Sequence, residues 1–268
     1  PGAVKVARIS CSAAALSEGL ARELAGPLLR EVDVADLRSG KVSGRRVVAL
    51  GAIELSSTPV RLSRDQGEAA VAEALAIQGL GLLRFPREAT ALRERLHFLH
   101  RRIGEPWPDV GDAALVARWQ DWVAPELRRI AGGTPVDRIN LGDAVRRLLP
   151  WPAAAELGAL APERLRVPSG NTAAIRYPEV GSDGAPVVEV KLQECFGLAE
   201  TPQLGGLSVL FRLMSPAGRP LAITGDLASF WSGPYAQVRS EMRGRYPKHP
   251  WPEDPWTAPA TARTKRRR

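Results

Sequence analysis

The spacing of apolar residues changes twice along this chain of 268 residues, near Ser63 and near Leu165, and those changes limit the folds open to it. From about Ser63 to Pro150, apolar residues recur three and four apart, which is typical of amphipathic helices. From Leu165 onward, apolar and polar residues alternate, which predicts strands with one packed face. The pattern therefore predicts an α+β fold in which a helical subdomain, residues 63–160, precedes a mainly antiparallel sheet, residues 161–257.

Helix-ending signals divide the helical subdomain. Ser63 and Gln66 predict a capping box, and the glycines at 79 and 81 end that helix. The next helix is predicted over residues 87–103. Its predicted inner stripe consists of Leu92, Leu96, Leu99 and Ile103. Two later helices are predicted to begin at caps formed by Asp112 and Asn140.

Residues 1–62 predict a smaller β unit. VKVARI reads as a strand, a helix begins near Ser17, and a hairpin turns at Arg38-Ser39-Gly40. So few strands bury too little apolar surface to form a stable domain. We therefore expect this to be the C-terminal part of a unit that begins upstream of Pro1, and the chain to be a fragment.

One face of the later sheet is predicted to be basic. If its apolar residues point inward, most strands place a cation on the outer face, which Glu189 shares. An ordinary solvated face explains the same pattern. The cations are Arg164, Arg166, Arg176, Lys191 and Arg212.

The stretch from Asp226 to Trp256 combines closely spaced arginines, aromatic residues and four prolines. It predicts a helix with an apolar inner stripe, followed by an extended, polyproline-like strap over residues 247–255. The aromatic residues either stack on unpaired bases or belong to the core under a structural clasp. Basic residues predicted to be exposed here are Arg239, Arg243, Arg245 and Lys248.

The positive charge is concentrated near the C-terminus. The whole chain carries a net charge of +8, and residues 233–268 contain nine Lys or Arg against three acids. This distribution indicates a polyanionic partner, such as single-stranded RNA or another nucleic acid. Residues 258–268 are predicted to form a disordered basic tail.

Several classes of site are not supported by the sequence. It has no glycine-rich phosphate loop, no dinucleotide fingerprint and no nucleophile elbow. His97 and His100 have a spacing compatible with a metal, and Glu194 with Asp226 would suit a hydrolase, but structural roles explain both pairs equally well. The two cysteines, Cys11 and Cys195, lie far apart in the sequence, which predicts a reducing, cytoplasmic environment. The sequence contains no apolar run long enough to predict a helix that spans a membrane.

Long sequence words carry a family resemblance. LQECFGLAETPQLGG, LFRLMSPAGRPLAITGDLASFW and VRSEMRGRYPKHPWPEDP, at 192–206, 210–231 and 238–255, resemble the C-terminal region of the HrpB family of bacterial DEAH-box ATP-dependent helicases. RRVVALGAIELSSTPV, at 45–60, is also similar to that family.

The resemblance implies two motor domains that precede Pro1 and bind ATP and magnesium. It implies that residues 1–62 end an OB-like auxiliary domain and that residues after about Ser63 are the family's own C-terminal extension. None of the family's ATP or magnesium ligands has a matching position here. A nucleic-acid-binding accessory region, a protein-interaction module that uses residues 247–256, and an independent hydrolase therefore remain alternatives.

Overall fold

The computed structural model describes Ser17, Gly19, Leu20, Glu23 and residues 26–38 and 40–263. Outside the described residues lie the predicted strand VKVARI, Cys11, parts of the helix predicted near Ser17, Ser39 of the hairpin turn, and the end of the predicted tail, residues 264–268. Cys195 is buried as a free thiol.

The first sheet is an antiparallel meander of three strands. The hairpin register pairs Arg38 with Lys41, so its turn lies where the sequence predicts it. GAIEL, which we expected to continue the second strand, instead begins a third one, because the chain turns at Gly51 with a φ of 61°. These strands are β1 (Leu29–Arg38), β2 (Lys41–Leu50) and β3 (Ile53–Val60).

The helices follow the capping signals closely in the first half. The Ser63 capping box is present, with both of its hydrogen bonds to Gln66 formed, which confirms that prediction. The third predicted helix is broken into three short helices. Asp112 does not cap the first of them, because Gly111 occupies the cap position and Asp112 lies in the first turn. The helices are α1 (Arg64–Gln78), α2 (Arg87–Ile103), α3 (Asp112–Ala117), α4 (Trp119–Trp122), α5 (Ala124–Ala131), α6 (Gly142–Arg146), α7 (Leu157–Leu160), α8 (Leu227–Ser232) and α9 (Pro234–Arg245).

The second sheet has five strands in the order β10-β9-β6-β5-β4. All neighbouring pairs are antiparallel except β6 and β9, which are parallel. A two-stranded hairpin, β7–β8, lies in the connection between them. The strands are β4 (Arg164–Arg166), β5 (Thr172–Arg176), β6 (Val187–Lys191), β7 (Gln203–Leu204), β8 (Leu207–Ser208), β9 (Leu210–Met214) and β10 (Pro220–Thr224).

Helix α2 joins the helical part to this sheet. Its middle, residues 95–99, is buried without interruption, so more than one face is covered. The ring of Phe98 lies 5.2 Å from that of Tyr177, and Arg95 donates to the carbonyl of Ala161. Ile103, which the sequence predicts on the inner stripe, is 45% exposed because it lies in the last turn of the helix.

The aromatic residues of the stretch 226–256 form a core under a clasp. Phe230, Trp231 and Tyr235 make ring contacts with one another, and Trp231 and Tyr235 also contact Phe196. The Tyr235 hydroxyl donates to the carbonyl of Pro252 at 2.9 Å. Their burial favours the structural interpretation over base stacking, because rings packed in a core are not available to a ligand.

The segment after α9 differs from the predicted extended strap. Turns at 247–248 and 255–257 interrupt it, and the indole of Trp251 donates to the carbonyl of Tyr246 at 3.0 Å. The chain then continues along the protein, where the Thr261 amide donates to the carbonyl of Gln193. Residues 258–263, expected to begin a disordered tail, therefore make ordered contacts.

No single helix in the described ranges is long and apolar enough to cross a membrane. Two consecutive stretches, Arg64–Leu82 and Arg87–Ile103, have the necessary length and composition only when they are taken together, and the chain bends by 84° between them.

Candidate nucleic-acid interface

The outer face of the second sheet carries the predicted cations. Arg164, Arg166 and Arg176 are exposed, whereas Lys191 and Arg212 are half-buried. Each lies at a register position that alternates with buried residues, so the five share one face. Ile223, expected to point inward, is instead 61% exposed and pairs with Arg212, because a β-bulge shifts the register within β10.

Glu189 neutralises part of this face. Its Oε1 accepts hydrogen bonds from both Arg176 and Arg212, the latter at 2.8 Å. The hydrogen bond and charge of Arg176, and then those of Arg212, hold the pKa of Glu189 below its ordinary value. Two of the five cations are therefore already paired with a carboxylate.

The arginines of α9 divide into two groups. Arg239, predicted to be exposed, is half-buried: its Nε donates to the carbonyl of Trp251 at 3.0 Å, and its guanidinium forms a 2.8 Å ion pair with Glu253. This corrects the predicted exposure, because the segment after the helix folds back over this side chain. Arg243 and Arg245 are exposed and have no hydrogen-bond or ion-pair partner among the described residues.

The segment after α9 reaches the end of β6, because the amide of Thr261 donates to the carbonyl of Gln193, two residues beyond Lys191. Burial lowers the pKa of the His249 imidazole in this segment, and the positive charge of Lys191 lowers it further. Lys248, the preceding residue, is exposed and has no partner in the described part of the chain. The predicted cations without a partner among the described residues are Lys191 on β6, Arg166 on β4, and Arg243, Arg245 and Lys248 on α9 and just after it.

A groove of about 590 Å³ runs over the same outer face. It is lined by Lys191, Arg164, Asn171 and Thr172 among others, and Met214 supplies an apolar surface. Arg164 is held in place by hydrogen bonds to the hydroxyl and carbonyl of Thr172, at 2.8 and 2.7 Å. Glu189 and Glu194 line the same groove and offset its two cations, and the amide of Asn171 donates to Glu194 at 2.6 Å. Lys191, which has no partner among the described residues, is therefore the groove's strongest candidate for a phosphate contact.

The two carboxylates proposed for a hydrolase do not form a site. Glu194 lines the groove just described, whereas Asp226 lines a different one. Asp226 caps α8, and hydrogen bonds from the hydroxyl and amide of Ser229 hold its pKa below the ordinary value. Glu194 accepts hydrogen bonds from Ser169 and Asn171. The hydrolase alternative gains no support from these contacts, because Glu194 and Asp226 line different grooves and each accepts hydrogen bonds from its own local segment.

The paired histidines also have structural roles. Nε2 of His97 accepts a hydrogen bond from the Gly181 amide at 3.1 Å, and Nδ1 of His100 lies 2.8 Å from the carbonyl oxygen of Trp107. In residues 26–38 and 40–263, no group of three His, Cys, Asp or Glu side chains is placed to hold a metal ion.

A second basic surface was not found from the sequence. We call it the sheet–helix groove, and it lies where β2 and β3 approach α1 and α5. Its cations come from three segments that lie far apart in the sequence, 41–44, 59–64 and 128–132, so no local signal marks the surface they form together. They are Lys41, Arg61, Arg64 and Arg128.

Comparison with known proteins identifies relatives of this chain. A family model described as "ATP-dependent helicase C-terminal" matches residues 122–255. The ATP-dependent RNA helicase HrpB of Escherichia coli K12 is 35% identical over 235 residues, which are 86% of this chain and 29% of that protein. The chain therefore spans less than a third of this relative.

Two solved structures are also similar. The crystal structure of the E. coli DExH-box NTPase HrpB matches 93% of this chain and 31% of its own, with a TM-score of 0.68 and 32% identity. A crystal structure described as the E. coli DEAH/RHA helicase HrpB matches 84% of this chain and 29% of its own, with a TM-score of 0.59 and 32% identity.

Proposed function

The chain belongs to the C-terminal family of the ATP-dependent helicase HrpB, and from this premise we propose that it is an accessory region that binds and guides single-stranded RNA. Its basic surface holds an RNA strand by phosphate contacts while the motor domains of the same polypeptide supply the movement. The observation that carries the proposal is that cations on the outer face of the second sheet, on α9 and just after it have no hydrogen-bond or ion-pair partner among the described residues; we call this set the interface around Lys191. The proposed contacts are Arg243, Arg245, Lys248, Lys191 and Arg166.

Free cations are suited to phosphates for an electrostatic reason. An arginine already paired with a carboxylate must break that pair before it contacts a phosphate, whereas an unpaired one releases only solvent and counterions. Arg176 and Arg212 are therefore weaker contacts than their positions on the face suggest. We assign Arg239 to the clasp, since both of its hydrogen bonds go to the segment after α9.

The experiment is a salt titration of RNA binding. For a single strand, the logarithm of affinity falls with the logarithm of salt concentration by about 0.7 per phosphate contact. The triple variant Arg243→Ala, Arg245→Ala and Lys248→Ala removes three proposed contacts, so we expect the slope to fall by about 2. Fluorescence anisotropy of a labelled single-stranded RNA measures both slopes.

A matched control replaces exposed cations elsewhere. Arg84 and Arg87 are exposed, have no partner among the described residues, and line none of the grooves described above. Arg84→Ala with Arg87→Ala is expected to leave the slope within measurement error of the wild type. An equal decrease in this control and in the triple variant would mean that only net charge matters, and would reject the proposed interface.

ATP and magnesium enter the proposal only through the motor domains. We assign the chemistry of hydrolysis to those domains, because the family resemblance implies that they bind ATP and magnesium. We further propose that this region packs against the motor domains in a cytoplasmic protein. Docking of a separate partner through residues 247–256 has weaker support, because Trp251 is 7% exposed and its indole is satisfied internally.

A further inference from the structure

The sheet–helix groove consists of two adjoining cavities of about 640 and 580 Å³. Arg64 and Arg128 line both cavities, which therefore meet at these two side chains. The end near the sheet is lined by β2, the end of β3 and the linker that leads into α1. The end near the helices is lined by α1, α4 and α5.

The sheet end of the groove is strongly positive. Four of its lining residues are cations, and none is acidic. Lys41, Arg61 and Arg128 are exposed and have no hydrogen-bond or ion-pair partner within the described residues. Only Arg64 is paired, through an exposed 3.0 Å contact with Glu68. The groove therefore concentrates unneutralised charge in a concave surface, where it attracts anions most strongly.

Packing around the groove holds the backbone segments that carry these cations. The amide of Val136, just beyond α5, donates to the carbonyl of Gly40 at 2.8 Å, which ties the β1–β2 turn to the helices. The backbone of Gly44 lies against Leu62, since a Cβ there would come within 2.5 Å of its side chain. The walls are consequently preorganised, and binding does not have to order them.

The helix end of the groove offers different chemistry. Trp119 is half-buried there and makes no ring contact with another described aromatic residue, and Gln120 supplies an amide. By contrast, nearby Trp122 is fully buried and stacks on Phe85. Trp119 packs partly against the core, and the rest of its indole is exposed beside the cations, which suits an unpaired base next to its phosphates. Asp65 and Glu68 also lie at this end, so the phosphates of the ligand belong at the sheet end, where no acid lines the groove.

We propose that the sheet–helix groove binds a short segment of single-stranded nucleic acid. Lys41, Arg61 and Arg128 contact consecutive phosphates, and a base stacks on Trp119. This site uses none of the residues assigned to the interface around Lys191, and it shares with the proposed function only the class of ligand. Two separate contact surfaces would fix the direction of a strand on this region, which a single patch does not do.

The test is a two-by-two comparison of variants of the full 268-residue chain. The groove variant carries Arg61→Glu and Arg128→Glu. It is made in two backgrounds, the wild type and the triple alanine variant at positions 243, 245 and 248. The probe is a fluorescein-labelled oligouridylate of about 12 nucleotides, a length within the range that single-strand-binding folds cover. We expect the groove variant to weaken binding on the order of tenfold near 0.1 M salt and to lower the salt slope by at least about 1.4, in both backgrounds.

The control is Arg84→Glu with Arg87→Glu, which makes the same change in net charge elsewhere. Because the side chains at 61 and 128 have no partners among the described residues, we expect the groove variant and the control to melt at the same temperature as the wild type. If the groove variant melts earlier, Arg61→Ala with Arg128→Ala replaces it, and the same decrease in salt slope is expected. A second readout is tryptophan fluorescence, in which RNA-induced quenching is expected to decrease in Trp119→Phe.

The outcomes separate the two proposals. Wild-type binding by the groove variant, with weak binding by the triple alanine variant, would overturn the groove and leave the proposed function standing. Weak binding by the groove variant alone would support the groove and remove the interface around Lys191. A third outcome is that polyglutamate displaces the probe as readily as unlabelled RNA does and that no quenching depends on Trp119. This outcome would assign the groove to an acidic protein segment and overturn the inference.

Discussion

A Cβ atom on Gly67 would lie 2.6 Å from the carbonyl oxygen of Ala131. Helices α1 and α5 therefore pack backbone against backbone at this point, and no larger residue fits without separating them. Gly67→Ala is expected to destabilise the protein by about 1–3 kcal/mol, the usual cost of overpacking. Thermal unfolding measures this change.

Gly244→Ala provides the opposite control for that prediction. Gly244 lies inside α9, and a Cβ atom there would have no neighbouring atom within 4 Å, so alanine adds helix propensity without a clash. We expect Gly244→Ala to stabilise the protein by about 0.5–1 kcal/mol. A loss of stability in both variants would show that the close approach at Gly67 is not the cause.

Arg95 is predicted to hold α2 against the start of the second sheet. Its guanidinium is 7% exposed and donates to the carbonyls of Ala161 and Leu157 as well as to Glu163. Arg95→Met leaves these acceptors unsatisfied, with an expected loss of about 1–3 kcal/mol in the free energy of unfolding. Arg101→Met removes only an exposed pair with Asp183 and should stay within about 0.5 kcal/mol of the wild type.

Arg239 and Arg243, four residues apart on α9, are predicted to have separate roles. Arg239→Gln breaks the contacts with Trp251 and Glu253, so we expect a loss of about 1–2 kcal/mol and faster proteolysis within residues 246–263. Arg243→Gln should leave stability within about 0.5 kcal/mol of the wild type and lower the salt slope of RNA binding by about 0.7. Equal proteolysis rates in the two variants would contradict this division.

Removal of the Glu189 charge is predicted to strengthen RNA binding. Glu189→Gln ends the ionic attraction that occupies Arg176 and Arg212. If both arginines then contact phosphates, the salt slope rises by about 1.4. Asp183→Asn removes one exposed acid elsewhere and serves as the control for net charge. An unchanged slope in Glu189→Gln would place RNA away from the outer face of the sheet.

Stability is predicted to decrease in mild acid because of His97. Burial lowers the pKa of this histidine in the folded protein, and the charges of Arg101 and His100 lower it further, while Asp109 opposes them. In the unfolded chain this histidine has an ordinary pKa of about 6.5. As the pH falls, the unfolded state therefore binds the proton before the folded state does. The contribution of His97 to the free energy of unfolding is therefore complete above about pH 6.5, and it is lost as the pH falls toward the lowered pKa of His97 in the folded protein.

His97→Gln is the test of that prediction. The variant cannot take up this proton, so its unfolding midpoint should depend less on pH between about 5 and 7 than that of the wild type. His100→Gln is the comparison, because that side chain is only partly buried. A wild-type pH dependence in His97→Gln would show that other groups cause the loss in acid.

Local features were predictable from the sequence. The capping box at Ser63, the hairpin turn beside Lys41 and the helix that ends at Gly104 all depend on residues a few positions apart. The basic outer face also followed from the alternation of strand residues. The break of the third predicted helix and the third strand of the meander were missed, because tertiary packing selects between local conformations of similar energy.

The sequence by itself determined where helices and strands form, which face of the second sheet is basic, and to which family the chain is similar, because those signals lie in neighbouring residues. The tertiary structure decided which cations are free. Glu189 pairs with Arg212 across 23 positions, and Arg239 with Glu253 across 14. It also gathered the cations of the sheet–helix groove from three distant segments and placed Glu194 and Asp226 in the linings of different grooves. Electrostatic interactions depend on distance in space, and folding sets that distance independently of separation along the chain.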